Sequence, residues 1–525
     1  MTSLELVERQ RISEQDRLDS EKDHRDHSER NRLGQFATPT ALALDILSFA
    51  NDLISPRRKI SFLDPAFGTG SFYSALLRTV PTTRIERAFG FEIDPHYGNK
   101  ASELWGNTKL RLTLKDFTKQ APPSQNRDRA SLLICNPPYV RHHHLASDDK
   151  LRLQQLVLKM TGIRFSGLAG LYCYFLCLSQ AWMTSGGLAA WLMPSEFMDV
   201  NYGDEVKRFL LQNVTLLRVH RFDPADVQFG DALVSSAVVW FRNERPSANH
   251  MVDFTFGGTH RKPKVSKRIN ASDLATATKW TRFPTATTRV VPREAVRVGE
   301  LFTVKRGIAT GANQFFIVTE EQAKQYRLPS AFLRPILPSP RHLPVDEVHA
   351  DRNGIPLLDR RLFLIDCRLP EDVLKTNHPA LWTYLQRGHE LGIVDKYLCE
   401  NRSPWYLQEQ REPAPIACTY MGRTEDATKS PFRFIRNRSK ATAANVYLLL
   451  YPKPLFQLAA QRDPSLYDVT WRALNAIPAE FLTSEGRVYG GGLHKMEPRE
   501  LANAEVPGID RSIVGIPFQP DLALA

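Results

Sequence analysis

Between Gly34 and about Arg245 this chain alternates short apolar runs with helical patterns, and no other feature narrows its fold so far. Runs such as Ser61-Phe-Leu-Asp64, Ala88-Phe-Gly-Phe91 and Ser131-Leu-Leu-Ile-Cys135 are too short for helices and read as buried strands. Strands that alternate with helices build βα units and a mostly parallel sheet. Leu171 to Trp182 is expected as a core helix, with Cys173 and Cys177 as packing residues rather than ligands.

The strands end in polar residues. Asp64-Pro-Ala-Phe-Gly-Thr-Gly70 leaves a strand through a glycine-rich turn and enters the helical pattern Ser71-Phe-Tyr-Ser-Ala-Leu-Leu77. Gly68 and Gly70 let backbone approach a ligand closely, and Asp64 offers a carboxylate. The turn has no third glycine, so it is not the dinucleotide fingerprint. Glu92 follows Gly70 by 22 residues, near the spacing of roughly 20 expected for an acid that grips ribose hydroxyls. Asn136-Pro137-Pro138-Tyr139 then closes the strand that ends at Cys135. Prolines fix φ and supply no N–H, so their carbonyls are available as acceptors. In this corner the Asn136 side-chain oxygen and the Pro137 carbonyl can accept both N–H groups of an exocyclic amine, with Tyr139 stacked on its ring. An Asx-Pro turn would explain a lone Asn-Pro. A glycine turn, a ribose acid and this tetrapeptide in order need more.

Together they resemble the gamma group of S-adenosylmethionine-dependent N6-adenine DNA methyltransferases, typical of type II restriction–modification systems. The likeness covers roughly residues 34 to 245. Gly34-Gln-Phe-Ala-Thr-Pro39 is similar to the family's N-terminal cofactor motif, and Leu114-Lys-Asp-Phe117 to the segment that meets the cofactor adenine. The resemblance implies S-adenosyl-L-methionine contacts at Phe36, Thr38, Pro39, Asp64, Ala66, Gly68, Gly70, Glu92, Ile93, Asp116, Phe117 and Asn136. It implies catalysis by Asn136, Pro137 and Tyr139, with Phe229 as a second aromatic against a flipped base. Gly187 to Pro194 resembles the strand behind the pocket. The cofactor motifs precede the catalytic one, and the stretch between Asp116 and Asn136 is too short for an inserted recognition domain, which is the gamma order.

The expected fold is therefore α/β: a Rossmann-like methyltransferase domain over 34–245, followed by a mixed α+β target-recognition domain over 296–525. Residues 1–33 are densely charged and lack an apolar stripe, an arm expected to be a solvated helix or disordered. Residues 246–295 read as a linker or small hairpin region. In the recognition segment, Thr303 to Phe316, the cluster Arg433, Arg436, Asn437 and Arg438 beside Phe432 and Phe434, and Arg487 to Lys495 offer basic groups and amides suited to phosphate and base edges.

A net charge of +12 favours polyanions. The six cysteines form no CxxC pair, as in reduced cytosolic proteins, and no apolar run is long enough to span a membrane. The expected partners are double-stranded DNA and a separate cognate restriction endonuclease, in the bacterial cytoplasm, with the enzyme a monomer and no metal. Alternatives are an RNA adenine methyltransferase, a glutamine methyltransferase of release factors, or a methylase fused to a nuclease. The basic C-terminal half argues against a protein substrate. The 33 residues ahead of Gly34 and the lack of a persuasive PD…(D/E)xK array argue against a fused nuclease. His142-His-His144 suggests a metal at first sight, but methyl transfer needs none, and loop residues near a DNA backbone are the expectation.

Overall fold

The computed structural model describes residues 3–20, 34–200, 202–223, 235–247, 249–277, 279–284, 296–423, 430–489, 492–509 and 511. The chain divides into two compact units, residues 1–288 with 489–491, and residues 289–488 with 492–525.

The first unit is built on a nine-stranded sheet of order β3-β2-β1-β4-β5-β7-β6-β8-β9. Its strands are β1 (Ile60–Asp64), β2 (Ile85–Phe91), β3 (Leu110–Thr113), β4 (Ala130–Cys135), β5 (Met183–Pro194), β6 (Thr215–Arg221), β7 (Ser236–Arg242), β8 (Met251–Gly258) and β9 (Pro263–Asn270). β3, β2, β1, β4 and β5 run parallel, whereas β7 is antiparallel to both β5 and β6. β4 shows why its sequence is an unbroken apolar run. Leu132 and Ile134 join a core with Phe62 and Trp240, while Leu133 and Cys135 join a second core with Trp191 and Phe175 on the other face. A strand buried on both faces has no polar side to alternate.

Helices cover both faces. They are α1 (Ser3–Ser20), α2 (Thr40–Leu53), α3 (Ser71–Thr79), α4 (Pro95–Trp105), α5 (Ser147–Thr161), α6 (Leu171–Ser179) and α7 (Gly203–Gln212). α4 starts where Asp94 accepts a hydrogen bond from His96 N at 3.1 Å and Pro95 occupies the first turn, a strong start signal. α6 is buried along almost its whole length, and Cys173 and Cys177 are free thiols within it.

Two expectations are refined. Residues 251–270 are the hairpin β8–β9 and extend the main sheet through parallel pairing of β8 with β6, so no linker separates them from the catalytic unit. Val252 and Phe254 alternate inward, and the basic residues that colour this stretch lie in the turn, where His260 is buried against Asp45, or on β9. Residues 3–20 of the N-terminal arm form the helix α1, on which Glu5, Arg9, Asp16 and Arg17 are exposed as expected, but Glu8 and Arg11 are seated inward. Glu8 and Arg11 of α1 expose only 5% and 2% of their surface.

The second unit carries a five-stranded sheet built from Phe302–Arg306, Tyr447–Pro452, Ile416–Thr419, Phe434–Asn437 and Glu347–Val348, plus smaller sheets and helices. The arginines of its Arg433–Arg438 cluster are paired with acids of the same unit, Arg436 buried, Arg433 half-buried and Arg438 at the surface. Arg436 is 7% exposed and bonds Asp468 at 2.8 Å. Arg438 bonds Glu347 at 2.6 Å and Asp468 at 2.8 Å, and Arg433 bonds Asp346 at 2.6 Å. Phe432 and Phe434 belong to a hydrophobic core, and Phe315 and Phe316 to another. Lys305 and Arg306 remain exposed. Among the described residues no helix is long and apolar enough to cross a membrane.

Candidate active site

The sheet order turns back on itself at β1, whose neighbours are β2 and β4, and ligands of such sheets sit beyond the carboxyl ends of strands at that switch point. A cavity of about 600 Å³ lies there, lined by residues that follow β1 (Pro65, Ala66, Gly68), β2 (Glu92, Ile93, Asp94), β3 (Asp116, Phe117) and β4 (Asn136, Pro138). That size suits a nucleoside-sized ligand.

Each wall has a local cause. Gly70 adopts φ +94°, and a Cβ there would lie 2.6 Å from Trp105 Nε1, which itself donates to Thr69 O at 2.9 Å. The glycine turn is thus clamped onto the end of α4. Glu92 is held by two backbone donors, Gly68 N and Asp94 N, both at 2.8 Å. Burial still pushes its carboxyl above the ordinary range, and that of Asp64 further, with the Glu92 charge adding to the Asp64 shift. Asp64 accepts from Ala66 N at 3.1 Å. Asp116 Oδ1 accepts from Thr118 N and Oγ1, both at 2.8 Å. Phe117 meets Phe91 edge-on at 5.5 Å and Phe175 at 5.4 Å, an apolar floor.

The tetrapeptide corner is fixed by the Gly34–Pro39 segment. Gly34, at φ +65°, runs so close to the corner that a Cβ would sit 2.2 Å from Tyr139 N, and its carbonyl accepts from Tyr139 N at 3.2 Å. Asn136 Nδ2 donates to Phe36 O at 3.0 Å and Thr38 Oγ1 at 3.1 Å. A backbone carbonyl can only accept, so it settles which end of the amide is nitrogen. Among the described residues Asn136 Oδ1 is buried without a protein partner, in a residue that lines the cavity. A buried acceptor without a donor is costly, and a ligand amine would satisfy it. Tyr139 is buried, donates to Leu192 O of β5 at 3.1 Å and packs 5.8 Å from Phe36.

Of the residues named from sequence, Phe36, Ala66, Gly68, Glu92, Ile93, Asp116, Phe117 and Asn136 line the cavity. Thr38 and Pro39 line a smaller hollow that shares Phe36, Gln15 and Asp19 with it. Asp64, Gly70, Pro137 and Tyr139 stand behind the lining, and Phe229 lies outside the described residues. The cavity also draws on residues no motif flagged: Gln15 and Asp19 of α1, Arg152 and Leu153 of α5, and Phe175 of α6. Arg152 is aimed by bonds to Thr118 O and Oγ1, both at 3.0 Å. His144 lines the cavity as well. Among the described residues no group of three or more His, Cys, Asp or Glu is placed to hold a metal.

A sheet of this order with an antiparallel β7, a glycine turn after β1, an acid after β2 and Asn-Pro-Pro-Tyr after β4 define a Rossmann-like, S-adenosylmethionine-dependent methyltransferase. S-adenosyl-L-methionine is the expected cofactor, and the residues present fit it: paired acids, an aromatic floor and an unsatisfied amide oxygen. The Eco57I restriction-modification methylase family matches residues 89–228, and the C-terminal domain of the Type II methyltransferase M.Eco57I matches residues 285–516. Two stretches of the chain are thus similar to Eco57I-type restriction–modification methylase domains. It is 28% identical over 490 residues to the Type II methyltransferase M.XamI of Xanthomonas campestris pv. amaranthicola, covering 91% of this chain and 86% of that protein. It is 25% identical over 486 residues to M.AccI of Acinetobacter calcoaceticus, covering 90% of this chain and 85% of that one. Among solved structures, the type IIL restriction-modification enzyme MmeI in complex with DNA is similar at 13% identity and a TM-score of 0.49, over 80% of this chain and 62% of that one.

Proposed function

We propose that this protein methylates N6 of an adenine flipped out of double-stranded DNA, at a specific sequence, and so protects host DNA from a separate restriction endonuclease. The observation that carries the reading is the Asn136 amide, oriented by Phe36 O and Thr38 and presenting a buried Oδ1 that has no protein partner among the described residues. The adenine amino lone pair is delocalised into the ring, so N6 is a poor nucleophile. Acceptance of its two N–H groups by Asn136 Oδ1 and the Pro137 carbonyl favours a more sp³-like nitrogen and stabilises the positive charge that grows on it. S-adenosyl-L-methionine supplies the methyl group on a sulfonium. Glu92 binds the ribose, Asp116 the cofactor adenine, and Phe36 and the glycine turn hold the methionine end, which sets the geometry for direct transfer. Cys135 has no nucleophilic part, since burial pushes its thiol far above the ordinary range. A base inside a duplex is out of reach, so it must leave the stack, with Tyr139 and Phe229 as its aromatic neighbours.

Labelled-methyl transfer to unmethylated DNA tests this, with Asn136→Ala as control and modified positions mapped by sequencing. N6-methyladenine at one short motif, lost in Asn136→Ala, is the expected result. Label in RNA or protein and none in DNA would overturn the substrate.

A further inference from the structure

We infer that the N-terminal helix α1 is a positioning element for the cofactor, in which Gln15 and Asp19 strap the glycine turn to α4 across the edge of the cofactor cavity. The inference rests on the reading of that cavity as the S-adenosyl-L-methionine site.

The strap is a continuous set of hydrogen bonds. Thr69 Oγ1, between the two glycines of the turn, donates to Gln15 Oε1 at 2.7 Å. Gln15 Nε2 donates to Asp19 Oδ1 at 3.1 Å, and Tyr97 OH of α4 donates to the same oxygen at 2.9 Å. Both Gln15 and Asp19 line the cavity. The turn and α4 follow β1 and β2, and they carry or flank Gly68 and Glu92, so the distance between them sets the width of the site. α1 reaches α4 twice more: Leu18 O lies 3.2 Å from His96 Nε2, and Glu14 pairs with Lys100 at 3.3 Å.

The other end of α1 is anchored so that this face cannot rotate away. Glu8 and Arg11 form a two-pronged buried pair at 2.7 and 2.8 Å. Arg11 also donates to Ser71 Oγ at 2.9 Å, Thr40 Oγ1 at 3.1 Å and Thr69 Oγ1 at 3.3 Å. Glu8 accepts from Ser74 and Thr40. Residues 8, 11, 15 and 19 recur at three- and four-residue steps and so share one helix face. That face carries these four polar side chains between Val7, which packs on an apolar core, and buried Leu18, and the polar contacts are directional. A helix held by apolar packing would seal a core; one held by named hydrogen bonds to the turn and to α4 fixes a geometry.

The test uses the full chain with Asp19→Ala, Asp19→Asn and Gln15→Ala, each checked for its melting temperature. S-adenosyl-L-methionine binding is measured by calorimetry, and KM and kcat on unmethylated phage DNA follow. Loss of hydrogen bonds to a carboxylate in Asp19→Ala is expected to raise the cofactor Kd and KM about tenfold, with kcat at saturating cofactor and the Kd for DNA held within about twofold. Asp19→Asn keeps an oxygen that accepts from Tyr97 and Gln15, and is expected to stay within about threefold of wild type. Gln15→Ala, which cuts the strap at the turn and leaves Asp19 in place, is expected to weaken cofactor binding several-fold and guards against misfolding of the first variant. Cofactor Kd values within twofold of wild type in both alanine variants would overturn the inference, as would an Asp19→Asn protein as weak as Asp19→Ala. A wild-type chain that does not bind S-adenosyl-L-methionine would instead overturn the reading of the cavity, and the inference with it.

Discussion

The Glu8–Arg11 face of α1 and the Arg433–Arg438 cluster of the second unit are both dense in charge, and their sequences suggest opposite roles: an arm in solvent and a surface for DNA. In the structure both are tied up in ion pairs within the fold, with Glu8, Arg11 and Arg436 buried and Arg438 at the surface. Arg436 and Arg438 share Asp468, and Arg438 also takes Glu347, so their charges are spent on neighbours in the same fold. Glu8 and Arg11 are equally matched, yet their further partners, Thr40, Thr69, Ser71 and Ser74, belong to segments around a ligand cavity. The sign and density of charge along a chain therefore say little about a ligand. What decides is which elements supply the partners.

Four measurements break or sharpen that contrast. The largest effect belongs to the site itself. Asn136→Ala, which removes a preorganised acceptor, should lower single-turnover methyl transfer by about 10² to 10³ with cofactor binding largely kept. Next comes the arginine cluster. Arg436→Ala removes a buried guanidinium with its bonds to Asp468 and to Pro415 O, leaves Asp468 only Arg438, and should cost about 3 kcal/mol in chemical denaturation while DNA affinity per folded molecule holds; a loss of DNA affinity without a loss of stability would return Arg436 to the recognition surface.

The α1 anchor should show in acid. Burial raises the Glu8 carboxyl, but hydrogen bonds from Arg11, Ser74 and Thr40 outweigh it and hold its pKa at about 2, below the ordinary 4.5. A group whose folded pKa is depressed stabilises above its unfolded value and loses that contribution as pH falls through the folded one. The advantage of wild type over Glu8→Gln should thus be full above pH 4.5 and shrink toward pH 2, a change on the order of 3 kcal/mol. Melting curves of both proteins at pH 6 and pH 3 check it. The smallest effect is expected at Lys305, exposed on the first strand of the five-stranded sheet. Lys305→Ala should reduce the salt dependence of DNA binding by about one unit if it meets a phosphate, and an unchanged slope would move the interface elsewhere.

The sheet was legible because β1, β2 and β4 are short apolar runs ending in Asp64, Glu92 and Asn136, and strand ends are where such sheets place chemistry. The cavity was legible in part for the same reason. α5 was harder: Leu153 and Val157 mark its buried face, but nothing in the spacing tells that Arg152 bends back to Thr118, because that depends on how the helix packs. The seating of α1 is hidden from periodicity, which is counted in apolar residues, because its inward stripe is mostly polar: buried Glu8 and Arg11, then half-buried Gln15 and Asp19 beside Leu18. The hairpin β8–β9 was weighed against a linker because the basic residues of β9 masked the Val252 and Phe254 alternation. In the second unit Arg436 reads the same on paper whether Asp468 is near or not, 32 positions away in sequence.

The Asn136 amide takes its orientation chiefly from the main chain of Phe36, and this creates a blind spot for mutational scanning. Replacement of Phe36 by alanine deletes the ring but leaves the carbonyl in place, so a scan would score the residue for its aromatic contact and overlook the atom that aims the Asn136 amide. Genetic variation reaches that atom only through the path of the backbone. Gly34 controls that path, and a single methyl group there already collides with Tyr139. Backbone ester substitution at the peptide link after Phe36, which weakens the carbonyl as an acceptor without altering any side chain, would expose a dependence that no codon change can.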